Sequence, residues 1–287
     1  MKIFLWGDPR HHHKSLLEDI LYAFKSIGVG LDHEFGLNID HVIKRVNQYN
    51  PDWFFMLGGK KFPRERLKEI RAKKFARWLF GQSLPKIFLK EVDLASCVNP
   101  GAVCRSVFLE PHYIPTLFFN RKTPFNPEYV ADTSFIGWAG SQGKGIYERS
   151  KRNLCLESKK VTYWNRVWGK DEYDWNTVAQ VHKSAKIGLN VTHRDNEINM
   201  RVFEYAGVGT MILSDRNSAM NDLLEEGKHY VGFEKGNLKE MEDKIDYYLS
   251  HDKERERIAL SAHKELMRQY TTNYMLQRAI YKMSQLK

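Results

Sequence analysis

One segment, NEINMRVFEYAGVGTMILSD at residues 196–215, combines charged residues, two glycines and an apolar run. If it is helical, Glu197, Arg201 and Glu204 lie on one face, because they stand at i, i+4 and i+7. A carboxylate such as Glu204 can accept hydrogen bonds from two vicinal hydroxyls, and a ribose beside a diphosphate offers such a diol. The alternative is a solvated surface helix carrying two ion pairs, each worth about 0.3–0.5 kcal/mol.

The amino end of this helix is suited to an anion. We expect the helix to begin near residue 197 with Asn196 as its N-cap, because an amide oxygen can accept a free backbone N–H. The first-turn amides then point outward with partial positive charge and would bind phosphate. They belong to Ile198, Asn199 and Met200.

Further candidates for binding a nucleoside diphosphate follow two predicted strands. The glycine-rich loop GWAGSQGKG at 137–145, which includes Gly140, would let backbone amides approach a phosphate. Lys144 and Arg149 would add positive charge, or lie solvated at the surface. Trp164 would stack on a base, or pack in the core.

The loop after the first strand, WGDPRHHH, offers candidates for the acceptor side. Gly7 allows close approach of a ligand, and Asp8 is the leading candidate for a base or binding group. His11 and His112 are further acceptor-side candidates. No metal is expected, because the consecutive histidines of this loop point in different directions and the chain contains no Asp-x-Asp pair.

Alternation of strands and helices predicts an α/β protein with parallel sheets. A run with four prolines, between about residues 111 and 132, predicts an interdomain linker. We therefore expect one domain at 1–122, a second at 123–265 and a last helical segment at 266–287. Ligands of such sheets lie beyond the carboxyl ends of the strands, so two facing sheets would bind them in a cleft.

Composition argues against a membrane-spanning, exported or zinc-binding protein and favours an anionic partner. The chain has 287 residues, 42% of them hydrophobic, and no apolar run approaches the ~20 residues of a membrane span. It shows no export signal, so a cytoplasmic location is expected. Three cysteines without CxxC spacing predict reduced thiols and no zinc. The net charge of +10 favours an anionic or phosphorylated partner without choosing among small molecules, nucleic acid and membrane surfaces.

From about residue 132 to 271 the chain resembles the donor-binding half of GT-B glycosyltransferases, most of all the spore-maturation (CgeB-like) branch related to glycosyltransferase family 4. The resemblance rests on a strand ending LN, a helix RVFEYAGVG that follows the family's R-x-FE-x-x-A-x-G with glycine in place of the alanine, a strand ending SD and an L…GK helix, in that order. It implies two Rossmann-like domains, with the C-terminal helices crossing back to the first.

The resemblance also implies an activity and its residues. The enzyme would move a sugar from a nucleoside diphosphate, such as a UDP-sugar, to a hydroxyl acceptor without a cofactor or metal. Glu204 matches the glutamate that binds the donor ribose, and residues 196–200 match the turn at the diphosphate. The family's other glutamate would fall at Asn196, with Glu197 beside it as a candidate catalytic group, so the paired-glutamate motif is absent.

Two other functions stay open from the sequence. The run KKFPRERLKEIRAKKFARW at 60–78 is basic and interleaved with aromatics, which favours a nucleic-acid-binding protein or a glycosyltransferase acting on modified DNA. Asn196 leaves room for a nucleotide-sugar binder without turnover.

Overall fold

The computed structural model describes residues 1–7, 14–57, 62–78, 92–97, 107–109, 113–137, 155–164, 174–192 and 198–286. The chain forms two compact units. The first comprises Met1–His112 with Thr272–Lys287, and the second comprises Tyr113–Thr271. The units thus divide at 112/113 and 271/272, where the sequence analysis placed boundaries at 122/123 and 265/266.

A six-stranded parallel sheet organises the first unit, in the order β2-β1-β3-β4-β5-β6. Its strands are β1 (Lys2–Gly7), β2 (Gly30–Glu34), β3 (Trp53–Leu57), β4 (Lys74–Trp78), β5 (Leu94–Cys97) and β6 (Val107–Leu109). The central strands β1 and β3 are apolar almost throughout because helices cover both faces of a parallel sheet.

A five-stranded parallel sheet organises the second unit, in the order β11-β10-β9-β7-β8. Its strands are β7 (Ala131–Phe135), β8 (Thr162–Tyr163), β9 (Ala185–Asn190), β10 (Met211–Asp215) and β11 (Val231–Phe233). In both sheets the second strand lies on one side of the first and the later strands on the other. The strand order therefore reverses between β1 and β3, and again between β7 and β9, where such folds bind ligands.

The α-helices of the described residues flank these sheets. They are α1 (Lys14–Ile27), α2 (Ile39–Tyr49), α3 (Trp175–Lys183), α4 (Met200–Val208), α5 (Ser218–Leu223), α6 (Leu238–Ser250), α7 (Asp252–Gln269) and α8 (Thr272–Gln285). The last of them, α8, packs against α1 of the first unit, and its Thr272 hydroxyl bonds the buried Asp19 carboxylate. In the second unit α4 packs against α7.

The proline-rich segment predicted as a linker is packed into the second unit. Ile114 is fully buried, and its N–H donates to the Tyr270 carbonyl. The rings of Phe118 and Phe119 both meet the Trp175 ring edge to face, at centroid distances of 5.8 and 5.7 Å. The prolines stop helix formation, but the aromatic residues between them build core.

The segment PRERLKEIRAKK of the basic run forms no α-helix, although its residue types favour one. Only a 3-10 helix forms, at Arg64–Glu69. Leu67 in this 3-10 helix packs against the core, as do Ile70 and Ala72 in the chain that follows it.

Candidate functional site

Helix α4 begins at the carboxyl edge of the second sheet, with Asn199 as its N-cap. The Asn199 amide donates to Asn190 Oδ1 at 3.0 Å and to the Val191 carbonyl at 3.4 Å. Because this side chain turns back to β9, it accepts no hydrogen bond from the first turn of α4. An anion can take that place. The helix therefore starts three residues later than predicted.

Arg201 bridges two strand ends at the switch point of this sheet. Its Nη1 donates to the Ile136 carbonyl at 3.3 Å, just past β7, and its Nη2 donates to the Val191 carbonyl at 3.2 Å, just past β9. The guanidinium lies 4.5 Å from the ring centroid of Phe135. A positive charge is thus fixed at the place where the topology predicts a ligand.

Gly137 makes room for this guanidinium. Its φ is +150°, and a Cβ there would lie 2.6 Å from Arg201 Nη1. Its carbonyl accepts a hydrogen bond of 2.8 Å from the Tyr163 hydroxyl. A side chain at position 137 would therefore both strain the backbone and displace the Arg201 guanidinium.

Buried polar side chains connect the ends of β9 and β10. Asn190 Nδ2 donates to Ser214 Oγ at 2.9 Å. The Thr192 amide and hydroxyl donate to the two oxygens of Asp215 at 3.0 and 2.6 Å, and Lys235 Nζ lies 3.9 Å away. Burial raises the pKa of the Asp215 carboxyl, while these hydrogen bonds favour its charged form.

The sequence analysis gave no role to these polar residues. The available signal was a polar side chain directly after an apolar strand, in GLN and in MILSD. Their network fixes the strand ends on which Asn199 and Arg201 rest.

Glu204 faces the interior. The residue is 4% exposed, and its Oε2 lies 3.1 Å from Nε2 of the fully buried His182. Residues 202–208 are all buried, so the alternative of a solvated surface helix is wrong. Arg201 points to the strand ends and Glu204 to α3, and both side chains belong to one short helix.

The remaining described candidates lie in different surroundings. The Trp164 indole meets the Tyr129 ring edge to face at 5.6 Å. Gly7 ends β1, where a Cβ would lie 2.8 Å from Leu17 Cδ2. Ile198 and Met200 flank Asn199 at the amino end of α4 and are partly exposed. Eight candidates lie outside the described residues: Asp8, His11, His112, Gly140, Lys144, Arg149, Asn196 and Glu197.

Two cations of the basic run at 60–78 pair with carboxylates. Arg66 pairs with Glu69 and Asp40, and Lys73 pairs with Asp52. Each pair offsets one positive charge of the run.

The described residues offer neither a metal-binding cluster nor a membrane-spanning helix. They contain no cluster of three or more His, Cys, Asp or Glu side chains that could hold a metal ion. Nor does any helix among them combine the length and the apolar character that crossing a bilayer demands.

Residues 149–280 match a family model described as glycosyl transferase-like. This match covers β8 to β11 and so includes the whole of α4. It confirms the predicted enzyme class, a glycosyltransferase, and nothing supports the nucleic-acid-binding alternative. No curated protein matches the chain.

Solved structures confirm the predicted fold class. HepE of Anabaena, in complex with UDP-glucose, is 12% identical, with all of both chains covered and a TM-score of 0.61. A glycosyltransferase of Rickettsia africae is 12% identical over 99% of this chain and 98% of its own, with a TM-score of 0.64. Sucrose-phosphate synthase of Thermosynechococcus elongatus is 8% identical over 99% of each chain, with a TM-score of 0.61. The chain has the GT-B fold.

Proposed function

We propose that the protein transfers a sugar from a nucleoside diphosphate, with UDP as the nucleotide, to a hydroxyl group of an acceptor. The similar HepE structures contain UDP, UDP-glucose, or UDP with glucose, which supports uracil as the base. The net charge of +10 favours an anionic acceptor, DNA included, and the cytoplasmic location stays a prediction from the sequence.

The arrangement around Arg201 carries this proposal. In sugar transfer the C1–O bond to the diphosphate breaks, and negative charge develops on the leaving phosphate oxygen. The amino end of α4 and the Arg201 guanidinium together place positive charge at the switch point of the second sheet. We expect the diphosphate to bind there.

The same arrangement makes a metal unnecessary in our proposal. A helix end and an arginine can neutralise a diphosphate that other enzymes bind through a divalent ion. Turnover should therefore be unchanged in excess EDTA, measured as UDP release. Loss of turnover in EDTA, restored by Mg²⁺ or Mn²⁺, would contradict metal independence and leave the rest of the proposal standing.

Glu204 is proposed to bind the ribose. It lies one turn beyond Met200 on the helix whose first turn would bind the diphosphate. The R-x-FE-x-x-A-x-G pattern of the CgeB-like branch is matched by Arg201, Glu204 and Gly209, the left-handed cap of α4. We infer from it that the donor-binding half belongs to that branch.

The acceptor hydroxyl would form the new C1–O bond and lose its proton to a base. We propose Asp8 for that base, with Gly7, His11 and His112 on the acceptor side. Glu197 is proposed to act beside the transferred sugar. On the donor side we further propose Asn196, Ile198, Asn199, Met200, Gly140, Lys144, Arg149 and Trp164.

Substitution of Arg201 tests the donor site. Arg201→Ala removes the charge at the switch point and should weaken UDP binding about 30-fold by calorimetry, the effect of roughly 2 kcal/mol. Arg257→Ala is the matched control, since Arg257 is an exposed arginine that donates to one carbonyl, that of Gly227. If the two variants bind UDP equally well, the diphosphate is not bound at Arg201.

A further inference from the structure

A buried histidine–glutamate pair joins the end of α3 to the middle of α4. His182 lies in the last turn of α3, and its Nε2 is 3.1 Å from Oε2 of Glu204. The His182 side chain is fully buried and that of Glu204 is 5% exposed. His182 therefore contacts the proposed ribose-binding carboxylate from the protein interior.

The surroundings of His182 hold its ring in place. The ring centroid is 4.2 Å from that of Tyr205 and 6.2 Å from that of Phe119. Its backbone carbonyl accepts a 2.7 Å hydrogen bond from Thr210 Oγ1. The imidazole has little freedom to turn away from Glu204.

The other ring nitrogen decides which tautomer is present. His182 Nδ1 is buried and has no hydrogen-bond partner among the described residues. A buried N–H without an acceptor is costly, whereas a bare ring nitrogen is tolerated more easily. The proton therefore belongs on Nε2, which donates to Glu204, and burial keeps the ring neutral by lowering the pKa of His182.

This hydrogen bond occupies one oxygen of the carboxylate. Oε2 accepts from His182, while Oε1 accepts no hydrogen bond from the described residues. We propose that His182 is a positioning residue for the donor: it orients the Glu204 carboxylate so that Oε1 is presented to the ribose hydroxyls. This inference rests on the proposed function, because it needs a nucleotide with a ribose at Glu204.

Two variants of His182 separate positioning from packing. His182→Gln keeps an N–H donor at the place of Nε2, and His182→Leu removes it at similar volume. Calorimetry with UDP and with 2′,3′-dideoxy-UDP then isolates the hydroxyl groups. We expect His182→Leu to lose about tenfold in UDP affinity and nothing in dideoxy-UDP affinity, and His182→Gln to bind UDP within about threefold of wild type.

A merely structural His182 gives a different pattern. Equal losses for both nucleotides in His182→Leu, or no loss for either, would overturn the positioning role. If wild type binds no UDP, the proposed function fails first, and the inference fails with it. If wild type binds UDP and dideoxy-UDP equally tightly, only the ribose role of Glu204 and the positioning by His182 fail.

A measurement on the wild-type chain covers the case in which His182→Leu does not fold. Nitrogen-15 spectra of labelled histidine should show His182 neutral with its proton on Nε2, and the Nε2 resonance should shift when UDP binds but not when dideoxy-UDP binds. A proton on Nδ1, or the same shift with both nucleotides, would overturn the proposal.

Discussion

The two sheets place their first five strands in the same order, yet the described ends of their strands differ in chemistry. In the first sheet β1 and β3 end in Gly7 and Leu57, both buried, and Gly7 lies against Leu17 and Phe35. In the second sheet β9 and β10 end in Asn190 and Asp215, which are hydrogen-bonded and buried. One topology therefore carries these two apolar strand ends, here called the apolar edge, in one unit and these two polar strand ends, the polar edge, in the other.

The difference between these strand ends shows which unit holds polar groups in fixed positions. Buried polar groups are stable only when they are hydrogen-bonded, so a network such as that around Asp215 fixes its members in single positions. Arg201 and Asn199 rest on this network, and the amino end of α4 is held with them. The second unit thus has a rigid site at the place where we propose that the charged donor binds.

The largest expected effect comes from Glu204→Ala. The change removes the proposed ribose ligand and leaves the buried His182 N–H without an acceptor. UDP affinity should fall about 100-fold, and the free energy of unfolding by about 1–3 kcal/mol, measured by calorimetry and urea unfolding.

Glu225→Ala is the control for that change, because Glu225 is exposed and pairs only with nearby groups such as Lys228. UDP affinity should stay at the wild-type value in this control. Unaltered UDP affinity in folded Glu204→Ala would break the comparison, since the polar edge would then serve folding alone.

Gly137→Ala should have a smaller effect than Glu204→Ala or Arg201→Ala. The substitution strains a positive φ and pushes on Arg201, so it should cost about 1–3 kcal/mol of stability and about tenfold in UDP affinity. Gly227→Ala, also at positive φ but with nothing within 4 Å of the added Cβ, should cost stability alone. A loss of UDP affinity of the same size in both would mean that general strain, not Arg201, weakens binding.

Acid should destabilise the second unit through His182. Burial is the main cause of its lowered pKa; Arg201 lowers that pKa further, and Glu204 raises it. The unfolded chain binds a proton below pH 6.5, the ordinary value, while the folded chain does not until a lower pH. Stability therefore falls below pH 6.5, by up to about 1.4 kcal/mol per pH unit.

His182→Gln removes the titrating ring. The free energy of unfolding should then depend less on pH, by up to about 1.4 kcal/mol per pH unit, which corresponds to one proton. Urea unfolding at several pH values between 5 and 7 measures this dependence. An identical pH dependence in wild type and variant would show that His182 is not held neutral by the fold.

The smallest effect is expected at the apolar edge. In Gly7→Ala the added Cβ meets Leu17 Cδ2, the movable end of a side chain, so about 1 kcal/mol of stability should be lost. UDP affinity should not change. A weakening as large as that of Gly137→Ala would show that the first unit contributes to donor binding.

Much of the fold could be predicted from the sequence, because buried parallel strands such as KIFLW and TMILSD are continuous apolar runs. The linker could not. Proline spacing marks a break in helices, but only the folded chain shows Phe118 and Phe119 against Trp175. Local rules also placed the start of α4 too early, because the cap is decided by the contact between Asn199 and Asn190.

For the site, the sequence identified the segment but only part of its environment. Arg201 and Glu204 follow from helical spacing and resemblance. His182 does not, because a single histidine in an amphipathic helix carries no sign of the partner that it meets 22 residues later. The same holds for Gly137, whose need for glycine arises from the position of Arg201.

A crystal structure with UDP tests the central claim most directly. Our account predicts phosphate oxygens within hydrogen-bond distance of the first-turn amides of α4 and of the Arg201 guanidinium, with a ribose hydroxyl at Glu204 Oε1. UDP bound elsewhere on the chain, with the amino end of α4 filled by the protein's own side chains, would contradict it.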